Sequence, residues 1–349
     1  IIDCHVHLRD FEEAEKETVR HGLEVARDSG VSAVFDILNT NPPGISDEII
    51  RERIKLARDS GVTKVKYGMY VVLTKDPEQV RRAVQIYYTH NQGWPRVVGL
   101  KLFAGHSTNN LGVINVEEQF GVYETLAREG YQGLLAVHCE KEDRMHHGIW
   151  TPNAPMSHCI ARPPISEEES VRDQIGFVYL SGFKGKLHIF HISSPRAVED
   201  VERAKQQGMD ISCGVTPHHL IYDWTQMFGQ DGIMWKMNPP LREPGAPNRL
   251  LEYLRDGLID WVETDHAPHR VEDKTKKYAS GITGLAHWPL FVEFLRRNNF
   301  TDERINRVTG EAIVERFGYD IPENHAPLRD RRADYFNYHK PLEGMLCWD

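Results

Sequence analysis

The 349-residue sequence lacks two features that would each indicate a particular class of protein. It has no excess of positive charge, because 51 Asp and Glu outnumber 42 Lys and Arg and the formal net charge is −9. Neither a basic field nor a basic aromatic motif is present to attract nucleic acid. The sequence also has no run of about 18 apolar residues, which a membrane-spanning helix needs. We therefore expect neither a nucleic-acid partner nor a membrane partner.

Cysteine is scarce and dispersed. The five cysteines form no CxxC pair and are Cys4, Cys139, Cys159, Cys213 and Cys347. An odd, scattered set favours reduced thiols over a disulfide framework. We therefore expect a cytoplasmic protein.

A glycine-rich phosphate-binding loop is missing as well. No GxGxxG follows the first apolar run, so a dinucleotide site has no support. Eight near-continuous apolar runs are present instead, and they are typical of strands covered on both faces. They span residues 1–7, 31–38, 65–73, 97–103, 134–140, 186–193, 209–216 and 258–265.

Helical patterns lie between these runs. They cover residues 12–30, 46–61, 76–90, 116–129, 166–181, 195–207, 246–256, 284–297 and 301–317. The alternation predicts an α/β fold, a (β/α)8 TIM-type barrel over residues 1–319, with an irregular tail, 320–349, packed on or near it. An open doubly wound sheet is the alternative. The long segments 141–165 and 217–245 follow the fifth and seventh strands, on the face where barrel enzymes carry their chemistry.

The first predicted strand contains two histidines, His5 and His7, in IIDCHVHLRD. Side chains alternate along a strand, so both point to the same side, which can be the barrel interior. The pair would then form half of a metal site, or else two hydrogen-bonded core histidines. Taken alone, the pair favours the core reading. By the same alternation, Cys4 and Cys139 should face the opposite side from their histidine neighbours, as small apolar fillers.

Polar residues near other predicted strand ends favour the metal site. Lys101 interrupts the apolar run GLKLF, and an unpaired buried ammonium is costly. It needs either a carboxylate partner or conversion to a carbamate, which would supply two oxygen ligands. His138 lies in AVHCE, His188 and His191 lie in LHIFHISS, and Asp265 ends VETD. All of them would converge on the mouth of the barrel.

These residues, with HVHLRD, LNTNPP, GLKLF, FHISS, GVTPHH, MNPPLR and DHAPH, resemble the amidohydrolase superfamily and, within it, the dihydroorotase family over roughly residues 1 to 290. The resemblance implies two zinc ions. Six side chains would form the site: His5, His7, Lys101, His138, His191 and Asp265. The first two histidines and the aspartate would hold one ion, and the later two histidines the other. Carboxylated lysine and a hydroxide would bridge them. His188 is the alternative sixth-strand ligand, but the HISS context favours His191.

The resemblance also implies a small-molecule substrate. The expected reaction is the reversible cyclisation of N-carbamoyl-L-aspartate to L-dihydroorotate in pyrimidine biosynthesis, with Asp265 as the catalytic base and acid. Arg9 shares the face of His7 and can bind a carboxylate with two hydrogen bonds. Asn39 and His269 resemble the family's other carboxylate contacts. Asn238 either contacts the ring amide or forms a turn before Pro-Pro.

Several alternatives remain open from the sequence. Hydantoinases, dihydropyrimidinases and allantoinases share the metal ligands, and a metal-free scaffold in a pyrimidine-pathway assembly is a second alternative. Residues 105–110 could close over substrate or form a plain exposed loop. HVHLRDF lacks the Pro-Gly that follows this motif in many relatives, so the branch of the family is left open. The sequence allows a homodimer without indicating one.

Overall fold

The computed structural model of the chain describes residues 1–106, 110–229 and 231–335. Eight parallel strands follow one another in sequence order around a single sheet. They are β1 Ile2–Val6, β2 Ala33–Ile37, β3 Lys66–Val72, β4 Arg96–Ala104, β5 Leu134–Cys139, β6 Lys186–Ile189, β7 Ile211–Val215 and β8 Trp261–Val262. The predicted (β/α)8 barrel is confirmed, and the doubly wound alternative is excluded because the strand order never reverses.

The barrel closes through a short contact between its first and last strands. β8 has only two residues and pairs with β7. Beyond it, Val6 and His266 form an isolated parallel bridge, and His7 N donates to His266 O over 2.8 Å. The predicted strand 258–265 was therefore too long. Residues 263–266 leave the regular ladder, and among them Asp265 lines the barrel mouth.

Thirteen α-helices surround the strands or lie in the loops above them. They are α1 Val19–Asp28, α2 Asp47–Asp59, α3 Pro77–His90, α4 Val116–Arg128, α5 Ser157–Ala161, α6 Pro164–Ser181, α7 Pro195–Gln206, α8 Pro217–Ile221, α9 Ala246–Asp256, α10 Val271–Thr275, α11 Trp288–Arg297, α12 Asp302–Asn306 and α13 Ala312–Phe317. This number refers to the described ranges alone. A π-helical turn, Arg307–Glu311, joins the last two, so the predicted helix 301–317 is interrupted.

Capping side chains determine where the first helices begin. Ser46 accepts a hydrogen bond from Ile49 N at the start of α2, as its sequence predicted. The pattern at 12–30 was wrong over its first seven residues. Thr18 accepts from His21 N and starts α1 there, whereas Phe11–Glu13 form a separate 3-10 turn. The intervening chain is thereby free to pass over the end of β1.

Two apolar layers hold the barrel together. The larger lies between the strands and the surrounding helices. The smaller fills the barrel interior with residues such as Phe35, Tyr70, Phe190 and Trp261, all almost fully buried. The mouth above this inner layer is where the polar side chains collect.

Residues 320–335 run along the outside of α1. Asn324 Nδ2 donates to Arg27 O over 2.8 Å, Arg331 Nη1 lies 2.8 Å from Asp28 Oδ2, and the Tyr335 hydroxyl donates to Glu17. The division at residue 319 stays a prediction, since these contacts do not define a domain boundary. Within the described ranges, no helix combines the length and apolarity needed to cross a bilayer.

Candidate active site and metal centre

A cleft at the carboxyl ends of the strands brings together most of the predicted site residues. Its volume is about 490 Å³, including the part open to solvent. It is lined by His5, His7, Arg9, Asn39, Phe103, His106, His138, His191, Asn238, Asp265, Ala267, Ser280 and Gly281. Eight of the ten predicted site residues belong to this lining. The other two, Lys101 and His269, contact the lining residues Phe103 and Arg9.

His5, His7 and Asp265 converge on one point. His5 Nε2 and His7 Nε2 lie 3.1 and 3.0 Å from the same oxygen, Asp265 Oδ1. The other nitrogen of His7 lies 3.1 Å from Ile37 O, which directs Nε2 into the cleft. Burial raises the pKa of Asp265, but His5 and then His7 outweigh it and hold that pKa well below its usual value. The carboxylate is therefore ionised, as a cation site requires.

The prediction that Cys4 faces the opposite side from its histidine neighbours is wrong, because β1 contains a β-bulge. The β1–β2 register shifts between Asp3 and Val6, and this interrupts the alternation on which the expectation was based. Cys4 packs in the inner layer, and its Sγ donates to Glu263 Oε2 over 3.3 Å. His5 Nδ1 lies 3.7 Å from the other oxygen of Glu263. Cys4 and His5 therefore reach the same side chain, whereas Cys139 packs in the outer layer as predicted.

Lys101 lies on β4 with its side chain fully buried. Its Nζ has no hydrogen-bond partner among the described residues and lies 4.4 Å from the Phe190 ring and 4.6 Å from the Phe103 ring. Phe190 in turn packs on His5, with ring centroids 4.1 Å apart. Burial lowers the pKa of Lys101 to about 7. The carboxylate partner that would make it an ordinary ion pair is absent from the described residues.

His138 and His191 form the second imidazole pair. His138 Nδ1 lies 3.1 Å from His191 Nε2. The other nitrogen of His138 is 3.0 Å from Glu140 Oε2, and Arg162 pairs with the same carboxylate. Burial lowers the pKa of both histidines, which favours the neutral imidazole that binds metals.

Two buried glutamates in this site were missed by the sequence analysis. Glu140 orients His138, and Glu263 accepts from His191 N over 2.6 Å, from Trp261 Nε1 over 3.0 Å and from Cys4. Each had a signal, since Glu140 lies two residues after His138 and Glu263 two before Asp265. A carboxylate at that spacing shares the face of the neighbouring ligand.

Backbone strain is concentrated at the same place. Arg9, His191 and Asp265 have φ values of 30°, 37° and 49°. Residues other than glycine seldom adopt positive φ, and such strain is most often stored at functional sites. Gly105 has φ 132°, and a Cβ there would lie 2.0 Å from Glu140 O, so the close approach of β4 to β5 at the mouth requires glycine.

Arg9 is a buried cation directed into the cleft. Its Nη1 lies 3.5 Å from Asn39 Oδ1, its Nη2 3.3 Å from His269 Nε2, and its Nε donates to Pro268 O. His269 Nε2 is also 3.0 Å from the carbonyl oxygen of Ser280. No carboxylate pairs with Arg9 within the described parts of the chain. Leaving a guanidinium unpaired is costly, so an anionic ligand fits here.

The remaining predicted residues are distributed as follows. Asn238 Oδ1 lies 3.0 Å from His158 Nε2 beside the cleft. His188 contacts Ser212 and Glu263 and stacks on Trp261, so it lies below the cleft with core partners. The proposed lid at 105–110 includes 107–109, which lie outside the described residues.

The donor set fits a pair of metal ions. One ligand atom from each of His5, His7 and Asp265 lies within 4.8 Å of the others. His138 and His191 supply two further neutral nitrogens beside them, since the rings of His5 and His191 are 5.1 Å apart. Lys101 Nζ and His191 Nδ1 are buried and have no hydrogen-bond partner among the described residues. Buried polar atoms are usually hydrogen-bonded, so these two atoms of the site are left unsatisfied by the described contacts.

Comparisons with known proteins give relatives of this chain by sequence. No family model matches the chain. A dihydroorotase from Listeria welshimeri is 31% identical over 313 residues, which cover 86% of this chain and 68% of that protein. A dihydroorotase from Lactiplantibacillus plantarum is 29% identical over 325 residues, covering 91% of this chain and 71% of that one.

Solved structures show the same fold. L-hydantoinase from Arthrobacter aurescens superposes with a TM-score of 0.80 at 23% identity, covering 95% of this chain and 74% of that one. Dihydroorotase from Saccharomyces cerevisiae, in complex with 5-fluoroorotic acid, gives 0.73 at 19% identity, covering 91% and 84%. These two establish the barrel alone, whereas the Listeria relative establishes the family. The chain belongs to the dihydroorotase family.

Proposed function

We propose that this protein is a dihydroorotase, which interconverts N-carbamoyl-L-aspartate and L-dihydroorotate in pyrimidine biosynthesis. The observation that carries the proposal is Arg9, a buried guanidinium that faces the metal-ligand cluster without a carboxylate partner among the described residues. Dihydroorotate is a cyclic amide that carries a carboxylate. A cyclic ureide without that group would leave the cation unpaired, which is costly.

Two zinc ions are the proposed cofactors. His5, His7 and Asp265 would hold one, His138 and His191 the other, and a carboxylated Lys101 would bridge them. Imidazole and carboxylate are donors that zinc prefers. When bound, the ions would make water acidic enough to react near neutral pH and would polarise the amide carbonyl. The carbamate needs a neutral amine, and burial, which lowers the pKa of Lys101 to about 7, supplies one.

Asp265 is the proposed proton carrier. Water adds its oxygen to the ring carbonyl carbon, and Asp265 accepts the proton that this water loses. The carboxylate then delivers that proton to the ring nitrogen as the carbon–nitrogen bond breaks, acting first as base and then as acid. Ring closure follows the same path in reverse. The strained φ of Asp265 is consistent with a side chain held for this task.

Arg9, Asn39 and His269 are proposed to hold the substrate carboxylate. Arg9 lies within 3.5 Å of both Asn39 and His269, and we expect one carboxylate to contact all three side chains. Asn238, which also lines the cleft, would contact the ring amide. Holding both ends fixes the carbonyl carbon in the position for attack and selects against uncharged rings.

A substrate comparison tests the proposal. Purified protein should hydrolyse dihydroorotate and have little activity on hydantoin or allantoin. Arg9→Gln should raise KM for dihydroorotate, whereas Arg20→Gln, at an exposed arginine on α1, should not. Preference for hydantoin or allantoin would replace this function with that of another cyclic amidohydrolase. A metal content near zero together with no activity would favour the scaffold alternative. A cytoplasmic location and a homodimer remain predictions.

A further inference from the structure

A second group of metal-binding side chains lies at the rim of the cleft. It consists of His106, Glu142 and His147, and one ligand atom from each lies within 4.8 Å of the others. His106 follows β4, whereas Glu142 and His147 begin successive 3-10 turns after β5. None of the three belongs to the proposed binuclear site, and only His106 lies in a segment for which the sequence suggests a role, the possible lid at 105–110.

The three side chains converge on a single point. His106 Nδ1 lies 3.1 Å and His147 Nε2 lies 2.5 Å from the same oxygen, Glu142 Oε1. The two rings meet edge to face, with centroids 5.5 Å apart. Glu142 Oε2 is buried and has no hydrogen-bond partner among the described residues. Two nitrogens and one carboxylate are therefore gathered at one point, with a second carboxylate oxygen unused.

The nearest cations of the same loop are engaged elsewhere. Lys141 Nζ lies 2.7 Å from Asp173 Oδ2, and Arg144 Nε lies 2.8 Å from Glu169 Oε2. Among the described residues, the Glu142 carboxylate therefore pairs with the two histidines and with no lysine or arginine. Their side chains are 57% and 54% exposed, whereas that of Glu142 is 19% exposed. An ion could thus enter from solvent and keep water in its open positions.

We propose that His106, Glu142 and His147 form a third metal site, for a first-row divalent cation such as Zn²⁺. Two imidazoles and one carboxylate are a donor set that such ions prefer, and three protein ligands leave a position open. Both imidazoles direct a ring nitrogen at Glu142 Oε1. To bind the ion, each of these nitrogens must be unprotonated, so any proton that it carries would move to the other ring nitrogen or to solvent. It would join the end of β4 to the loop after β5, and His106, which also lines the cleft, would be fixed in place.

Metal counting on variants tests this site. The protein is dialysed against rising free Zn²⁺, and the zinc bound per chain is measured by mass spectrometry. His147→Ala and Glu142→Gln should each lose one zinc per chain. His146→Ala is the matched control, because His146 is the exposed neighbouring residue outside the cluster, and it should bind as much zinc as the unmodified protein.

The buried and rim sites can be distinguished in the same experiment. Lys101→Ala should lower zinc binding at the barrel mouth and retain the zinc that His147→Ala abolishes. The rim site is overturned if His147→Ala, Glu142→Gln and the unmodified protein bind equal zinc at every concentration. It is equally overturned if His146→Ala loses the same zinc as His147→Ala.

Discussion

Lys101 is the residue whose environment is hardest to explain without a modification. Its ammonium would be fully buried between two aromatic rings with no hydrogen-bond partner in the described ranges, and burying such a charge is costly. Conversion to a carbamate replaces a cation with an anion close to several imidazoles. The residue's chemistry therefore depends on the fold that buries it, and the apolar run GLKLF made part of that burial predictable.

We predict that Lys101→Ala abolishes most activity, because it removes the bridging ligand. A short carboxylic acid such as acetate should restore part of kcat, since it can occupy the space of the carbamate. The measurement is the rate of dihydroorotate hydrolysis with and without added acetate, beside zinc content. Lys66→Ala, at a half-buried lysine that begins β3, is the control and should retain activity. Full activity in Lys101→Ala would exclude the bridge.

Glu140 acts on the site through His138. Because Glu140 Oε2 lies 3.0 Å from His138 Nε2, it fixes the ring so that Nδ1 faces the cleft. We predict that Glu140→Gln weakens zinc binding by about 10- to 100-fold, the range found when such supporting carboxylates are removed. Competition with a chelator of known affinity measures the change. Glu124→Gln, an exposed residue on α4, should bind zinc normally, and an equally tight Glu140→Gln would remove Glu140 from this role.

At the scale of elements, α2 holds the loop that carries Arg9. Arg53 on α2 is fully buried and lies 2.7 Å from Asp36 Oδ2. It donates to Leu8 O over 2.9 Å and also to Arg9 O. The loop adopts positive φ at three consecutive residues, 30° at Arg9, 66° at Asp10 and 53° at Phe11. A buried guanidinium therefore stabilises a backbone that would otherwise be unfavourable.

We predict that Arg53→Met destabilises the protein by about 3 to 5 kcal/mol, because it leaves Asp36 buried without its partner. It should also raise KM for dihydroorotate more than it lowers kcat, since Arg9 loses its support. Denaturant unfolding and steady-state kinetics measure the two effects. Arg58→Met, at an exposed position of the same helix, should change neither. A normal KM in a folded Arg53→Met protein would contradict this role.

The bounds of several elements could be predicted from the sequence, whereas some contacts between elements could not. Helix α9 was predicted with its observed bounds, and α2 with its capping serine, because those signals are local in the chain. The orientation of Cys4 was wrong because the β-bulge depends on pairing with β2. Glu140 and Glu263 were missed because their importance comes from partners on other elements. Local patterns predict elements, whereas these contacts depend on the assembled barrel.

At the scale of the whole molecule, the proposed ligands come from widely separated parts of the chain. Strands β1, β4 and β5 contribute His5, Lys101 and His138, and the segments after β1, β6 and β8 contribute His7, His191 and Asp265. Bound ions would therefore connect strands around the barrel, including the β1–β8 junction, which has few ladder contacts. Metal binding should stabilise the folded state as a whole, since the unfolded chain cannot gather these ligands.

We predict that removing zinc with a chelator lowers Tm by about 5 °C or more, if free zinc is first held at about 100 times Kd. Restoring zinc should return Tm to its initial value, as followed by differential scanning calorimetry. In Asp265→Asn the difference in Tm between the zinc-loaded and zinc-free protein should be smaller, because one ion loses a charged ligand. Identical Tm values with and without zinc would indicate that the cluster holds no ion tightly.

The most direct test is a crystal structure of the purified protein with anomalous diffraction data collected at the zinc absorption edge. We predict two anomalous peaks at the barrel mouth, one beside His5, His7 and Asp265 and the other beside His138 and His191. Forked electron density should extend from Lys101 Nζ between them. The absence of both peaks, or two peaks beside an unmodified lysine side chain, would contradict the proposed bridged metal centre.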